Sequence, residues 1–483
     1  MSTPSPPRLL KYGSTLFPVL LAVMGLVLVI RWVRSGPVVS IFPRVPGLDH
    51  VPVEAKASDA VRPEPGEPIP GPGRPSTIAA AWPWFRGPDH DAISKETVRL
   101  ARTWPAAGPK RLWTVRLGEG FAAAAVHGGR VFVLDYDVDR SADTLRCLSL
   151  DDGREIWRNG YRVIVAHNHG MSRTIPAVVA DSVITLGPKC QLSCWDAAAG
   201  TARWLIDLVL EHGATVPPWY AGQCPFIDTK TDRLIVAPGG KALVMAIDYH
   251  TGRIVWQSPN PRNWAMTHVS IVAMEFAGRR MYVYCGKGGV AGIAADNGEL
   301  LWDTDEWQIA MATCPSPVVV GEGRIFLCGG YNSGSLMLQL TERAPCTHGR
   351  GRIVPQTAFR LTARQFGSEQ QTPVLWQQHL YAVRQKDQQL VCLDLNGKEL
   401  WNSGREKFGS GPYMIADGLI YVLDDNGVLS VVEATPEAYR RTARAQVIED
   451  ASSSWGPMAL VAGRLIVRDS SQMVCVDIAE HGP

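Results

Sequence analysis

From Arg130 onward one pattern of apolar and polar positions recurs: a small-residue or proline start, an alternating apolar run, a Gly or polar turn, a second alternation, and a turn closing in Gly-x-x-x-Trp. Alternation with period two turns every second side chain to the same face, so each run predicts a β-strand. Five copies keep the ending: Asp151 to Trp157, Asp196 to Trp204, Asp248 to Trp256, Asp296 to Trp302 and Asp394 to Trp401. In each, a glycine (Gly153, Gly200, Gly252, Gly298, Gly397) stands four residues before the tryptophan (Trp157, Trp204, Trp256, Trp302, Trp401). The glycine supplies the positive φ of a tight turn, and the next strand carries the indole at a fixed register. A flat ring in that register fills the wedge between neighbouring sheets.

Three further units, Pro317 to Leu340, Pro412 to Val432 and Pro457 to Ile478, keep the first hairpin without the Trp ending. The second strands start at Arg130, Ser182, Arg233, Arg280, Arg324, His379, Leu419 and Arg464, in steps of 52, 51, 47, 44, 55, 40 and 45 residues. A four-stranded blade takes about 40 to 50 residues. The expected fold is therefore all-β, an eight-bladed β-propeller of four-stranded antiparallel blades over 82–483. The segment Arg111 to Val115, with Trp113, reads as a final strand placed ahead of the first hairpin, so it is expected to complete the last blade and close the ring.

Ahead of the repeats, Tyr12 to Ile30 is uncharged, and Leu16 to Ile30 is one apolar run. A helix here spans about 28 Å, close to a bilayer core. This predicts a cytoplasmic N-terminus over 1–11 and a transmembrane signal anchor over 12–33. A cleaved leader ending near Val33-Arg34-Ser35 is the rival reading, opposed by the arginines at that site. Ten prolines between 36 and 76 make 34–81 a semi-rigid, Pro-rich linker. A formal net charge of +2 gives no electrostatic footprint for nucleic acid.

The repeat resembles that of the PQQ-like β-propeller family, Ala-x-Asp-x-x-Thr-Gly-x-x-x-Trp, matched throughout by Ala246 to Trp256. Trp82-Pro83-Trp84-Phe85-Arg86-Gly87-Pro88-Asp89-His90-Asp91 resembles the Trp-Pro-x-Phe-Arg-Gly-Pro lead-in of many bacterial envelope members. The resemblance implies the propeller fold. It is shared by quinoprotein alcohol dehydrogenases, which carry pyrroloquinoline quinone (PQQ) and calcium, and by non-catalytic BamB-like envelope proteins.

Residues for quinone chemistry are sparse. None of the ten cysteines is adjacent to another, and no Cys-x-x-Cys-His occurs. Cys147, Cys194, Cys392 and Cys475 share one register before the Gly turn, which predicts buried free thiols. Cys285 and Cys328 likewise end corresponding strands. His167-Asn168-His169 places two imidazoles on one face of an extended strand without a visible third ligand, and loop polarity is the simpler reading. Asp89-His90-Asp91 starts like a calcium loop but lacks the glycine and distal glutamate of an EF-hand, so it reads as a polar turn. Arg173 and Trp219 sit in loops where a ring opening could use a cation and an aromatic platform, with surface packing as the simpler reading. No catalytic or metal-binding residue and no cofactor is expected, with PQQ and calcium as the alternative. The expected role is a protein-binding scaffold, membrane-anchored, with the propeller in the periplasm and another envelope protein as partner.

Overall fold

The computed structural model describes residues 9–35 and 62–481, apart from 168, 310 and 345–350; within 9–35, side chains are described for 17–32. The chain divides into two units, Met1–Val45 and Pro46–Pro483.

The first unit holds a helix, Leu9–Ser35. Its large apolar side chains from Phe17 to Trp32 are exposed. Among the described residues, no helix is long and apolar enough to cross a membrane. The expected span over 12–33 is thus a helix without a described membrane crossing, and residues 1–8 lie outside the described residues.

The second unit is a ring of eight antiparallel meanders, each of four strands. Second strands start at Arg130, Ser182, Arg233, Arg279, Arg324, His379, Leu419 and Arg464, so the sequence markers fall on them with a one-residue shift in blade 4. Blade 8 takes Lys110–Arg116 as its outermost strand, antiparallel to Gln472–Asp477. Joining first and last strands of the domain in one blade removes the open edges that a linear array would leave. Among the described residues of this unit, helix is one short piece, Leu208–His212.

The repeated glycine and tryptophan meet across blades rather than within one. All five glycines have φ between 69° and 83°. A Cβ on Gly153 would sit 3.0 Å from the Trp113 ring, on Gly200 2.6 Å from Trp157, on Gly252 3.0 Å from Trp204, and on Gly298 2.5 Å from Trp256. Four of the five turn glycines therefore seat the indole of the preceding blade. Trp113, Trp204 and Trp401 also donate their indole N–H to a carbonyl of the next blade, at Leu150, Tyr249 and Thr435. Blade 5 has no tryptophan at this position, and Phe359 with Leu361 covers Gly397 instead. Trp113, Trp157, Trp302 and Trp401 are buried, whereas Trp204 and Trp256 are half-buried on outer strands.

The cysteine register has a cross-strand cause. Cys147 pairs with Trp157, Cys194 with Trp204, Cys392 with Trp401 and Cys475 with Trp113; Ala246 and Gly292 hold the same place opposite Trp256 and Trp302. A residue directly opposite an indole on one sheet face must be small. These four thiols are buried and free, as are Cys285 and Cys328. Desolvation pushes Cys194, Cys392 and Cys475 up to about 12. Cys346 lies outside the described residues.

The expected linker over 34–81 is partly a strand. Residues 36–61 lie outside the described residues, but from Pro63 the chain runs along the outer strand of blade 1, Glu155–Arg162. Ile69 and Pro70 pair with Arg158 and Trp157. Gly66, Gly71 and Gly73 donate to the carbonyls of Gly160, Ile156 and Glu155, each at 2.8 Å. The Pro-Gly alternation explains the fit. A Cβ would lie 2.1 Å from the Glu155 oxygen at Gly71 and 2.4 Å from that of Arg154 at Gly73, while prolines between them bring no donor that would recruit a further strand. Valine at both glycines should detach this strap. Each lost bond is worth about 1 kcal/mol, so cleavage within 62–76 by an added protease should rise at least about tenfold while the melting of the blades changes little.

Candidate functional site: the two ends of the axis

Strands alternate in direction, so the interblade connections and the second-to-third turns emerge on one face, and the Gly turns on the other. The two ends of the axis differ accordingly.

On the Gly-turn face the lead-in segment folds into the axis. Trp82 exchanges two 2.8 Å bonds with Val126 of blade 1, Pro83 accepts from Val178 of blade 2, and Ala92 accepts from Ile415 of blade 7. Ile93–Ser94 adds a short parallel strand to that inner edge. The Arg86 guanidinium donates to four carbonyls: Thr372 at 2.8 Å and Pro373 at 3.1 Å in blade 6, and Asp91 at 2.9 Å and His90 at 3.2 Å within the segment. Burial lowers Arg86 to about 10. Arg86, His90 and Ala92 all take left-handed φ, which a tight plug over-determined by its surroundings tolerates.

His90 is sandwiched between Trp84, with centroids 5.2 Å apart, and Phe226, at 4.5 Å; burial lowers it to about 4, so it is neutral. Asp89 pairs with Lys95, and Asp91 Oδ1 accepts from the Ile93 amide at 2.9 Å. The Asp89-His90-Asp91 run is thus a polar turn within the plug. Beside it, bounded by inner strands of blades 3 to 5, lies a cleft of ≈ 510 Å³.

On the interblade face the axis ends in a mouth of converging loops. Arg173 and Trp219 meet here: Arg173 Nε donates to the Trp219 carbonyl, and its Nη2 to the carbonyls of His169 and Gly170. The guanidinium lies 5.5 Å from the Phe121 ring centroid, and burial lowers it to about 10. Trp219 and Tyr220 are consecutive left-handed residues, held in part by the Tyr220 hydroxyl donating to the Ala166 carbonyl at 2.8 Å. The Trp219 ring is near-parallel to that of Tyr331, with centroids 6.5 Å apart, and tilted against His268. Burial, with Arg173 nearby, lowers His268 to about 4. Across the mouth, Phe121 stacks on Trp455 at 5.0 Å.

Four of these residues, Phe121, His268, Tyr331 and Trp455, were not singled out from sequence. Each comes from a different loop, and their common trait is a ring in an interblade or second-to-third connection. His167 is drawn to Glu119, while His169 packs against Phe121 and Trp455, so the two imidazoles do not share a ligand position. Asn168 lies outside the described residues. Among the described residues, no group of three or more His, Cys, Asp or Glu is placed to hold a metal. Two carboxylates here have partners of their own: Glu119 is engaged by His167 and the Gly170 amide, and Asp425 by the Trp455 indole and the Ser410 amide.

Fold and mouth together define a closed eight-bladed propeller, with the lead-in segment packed at one end of its axis and a cluster of aromatic loops at the other. The chain belongs to the family described as outer membrane protein assembly factor BamB, whose model matches residues 141–396. Among solved structures, it is similar to BamB from Moraxella catarrhalis, at 14% identity over 76% of this chain and 99% of that one, with a TM-score of 0.51. A quinohemoprotein alcohol dehydrogenase from Pseudomonas putida HK5 is 12% identical over 84% of this chain and 81% of that one, with a TM-score of 0.42. At these identities the likeness concerns the fold. Among curated protein sequences, none matches the chain.

Proposed function

We propose that this protein is a non-catalytic envelope scaffold that docks another envelope protein on its interblade face. The N-terminal helix would hold the propeller to the membrane on the periplasmic side. One observation carries the docking reading. Outside the N-terminal helix, the described large apolar residues more than 40% exposed are Val138, Ile164, Leu210 and Met311, and all four lie in connections of that face, Leu210 on the short helix Leu208–His212 and the others in loops. Exposed apolar side chains on the face that also carries half-buried aromatics suit a protein contact, since aromatics anchor such interfaces.

The test places a photo-crosslinking residue at Ile164 or Met311 of the full chain in its own cells, with Val255, on an outer strand, as the control. Discrete adducts from the rim and none from the control are expected. No rim adduct would overturn the scaffold reading. Quinone absorbance and reduction of an artificial acceptor after incubation with PQQ and calcium would decide for the alternative, a PQQ- and calcium-dependent dehydrogenase.

A further inference from the structure

A buried carboxyl lies at the seam between blades 1 and 2, away from both ends of the axis described above. Asp143, on the third strand of blade 1, is 1% exposed. Its Oδ2 accepts from the Tyr161 hydroxyl at 2.9 Å, and its Oδ1 is buried without a partner. Blade 2 presses directly on this pair. A Cβ on Gly187 would lie 1.9 Å from the Tyr161 hydroxyl and 2.7 Å from Asp143 Oδ2, and the Tyr161 ring is near-parallel to Trp195, with centroids 6.5 Å apart.

Among the described residues, no cation is placed to compensate the carboxyl. On its own blade the facing groups are Tyr161 and the carboxylate of Asp135, the latter engaged by Arg146. From blade 2 come Asp207 and the neutral thiol of Cys190, both close to Tyr161. Asp207 is itself occupied by the Gln191 side chain and the amides of Val209 and Leu210.

We propose that Asp143 is a proton-controlled latch: protonated it keeps the blade 1–blade 2 seam closed, and ionised it loosens that seam and the rim loop that follows Tyr161. The link to the loop is geometric. Tyr136, paired across the strands with Asp143, donates its hydroxyl to the Val163 carbonyl at 2.8 Å and accepts from the Val165 amide at 3.1 Å. Movement at the seam is thereby passed to the segment bearing Ile164.

Burial, with Asp135 adding to it, raises Asp143 to about 7, against the tyrosine bond that lowers it. The sign follows. A carboxyl whose folded pKa is raised stabilises the closed form at acid pH, and that stability is lost as pH climbs from about 4 to about 7, then levels off. Once the seam opens, the carboxylate meets water and regains its ordinary value.

Hydrogen exchange of the full chain between pH 5 and 8, corrected for intrinsic rates, tests this. The opening equilibrium of 161–165 and 184–187 should rise about tenfold per pH unit up to about 7. Asp143→Asn, neutral and near-isosteric, should abolish that slope. Tyr161→Phe removes the one donor to the carboxylate and should extend the slope to higher pH. Infrared difference spectra should show a protonated buried carboxyl vanishing over the same range, absent in Asp143→Asn. A flat profile in the wild type, or an unchanged slope in either variant, would overturn the latch. Should Asp143→Asn fail to fold, Tyr161→Phe and the infrared band still decide.

Discussion

Replacing Arg86 with methionine should destabilise the propeller by at least about 3 kcal/mol, because four carbonyls lose their donor at once and an orphaned buried carbonyl costs about 1 to 3 kcal/mol. Two of those carbonyls belong to blade 6 and two to the plug itself, so the loss should also free the segment from Trp82 to Ser94. Arg86→Lys should recover little, since an ammonium cannot reproduce a planar fork of five donors. Denaturant unfolding measures the stability, and hydrogen exchange of 82–94 measures the plug. A variant unfolding within 1 kcal/mol of the wild type, with 82–94 still protected, would show that the guanidinium is dispensable.

The second large effect concerns the blade seams. Trp157→Ala should cost about 3 to 5 kcal/mol, the range for deleting a buried aromatic. Gly200→Ala should also cost more than the roughly 1 kcal/mol expected from its positive φ, because the new Cβ would lie 2.6 Å from the Trp157 ring. The two changes act on one contact. In the Trp157→Ala background the Gly200→Ala penalty should fall back to about 1 kcal/mol, leaving a coupling energy of 1 kcal/mol or more. Additive penalties in that cycle would refute the assignment of the glycine as the seat of the preceding blade's indole.

The buried free cysteines give a milder check. Since Cys392 lies opposite Trp401 in a register that accepts Ala or Gly elsewhere, Cys392→Ala should cost less than about 1.5 kcal/mol, whereas Cys392→Leu should cost more by overpacking against the indole.

What the sequence determined by itself was the repeating part of the molecule. Strand alternation, the Gly-x-x-x-Trp spacing, eight units and the displaced strand around Trp113 are local patterns repeated at a blade's length, so they survive without knowledge of any long-range contact. The register of Cys147, Cys194, Cys392 and Cys475 before the Gly turn was visible as well, though their place opposite a tryptophan came from the strand pairing. What only the tertiary structure decided lies where the repeat stops. That the strap from Pro63 to Gly73 is paired to blade 1 depends on the geometry of a distant outer strand, and proline content alone reads as a spacer. That Trp82 to Ser94 fills the axis depends on carbonyls of blade 6 nearly 300 residues away. The mouth shows the same limit: Arg173 and Trp219 stood out as isolated residues, but their meeting with Phe121, His268, Tyr331 and Trp455 required ring closure. A propeller brings one short loop from each blade to a common axis, and those loops share no sequence period that would reveal their convergence in advance.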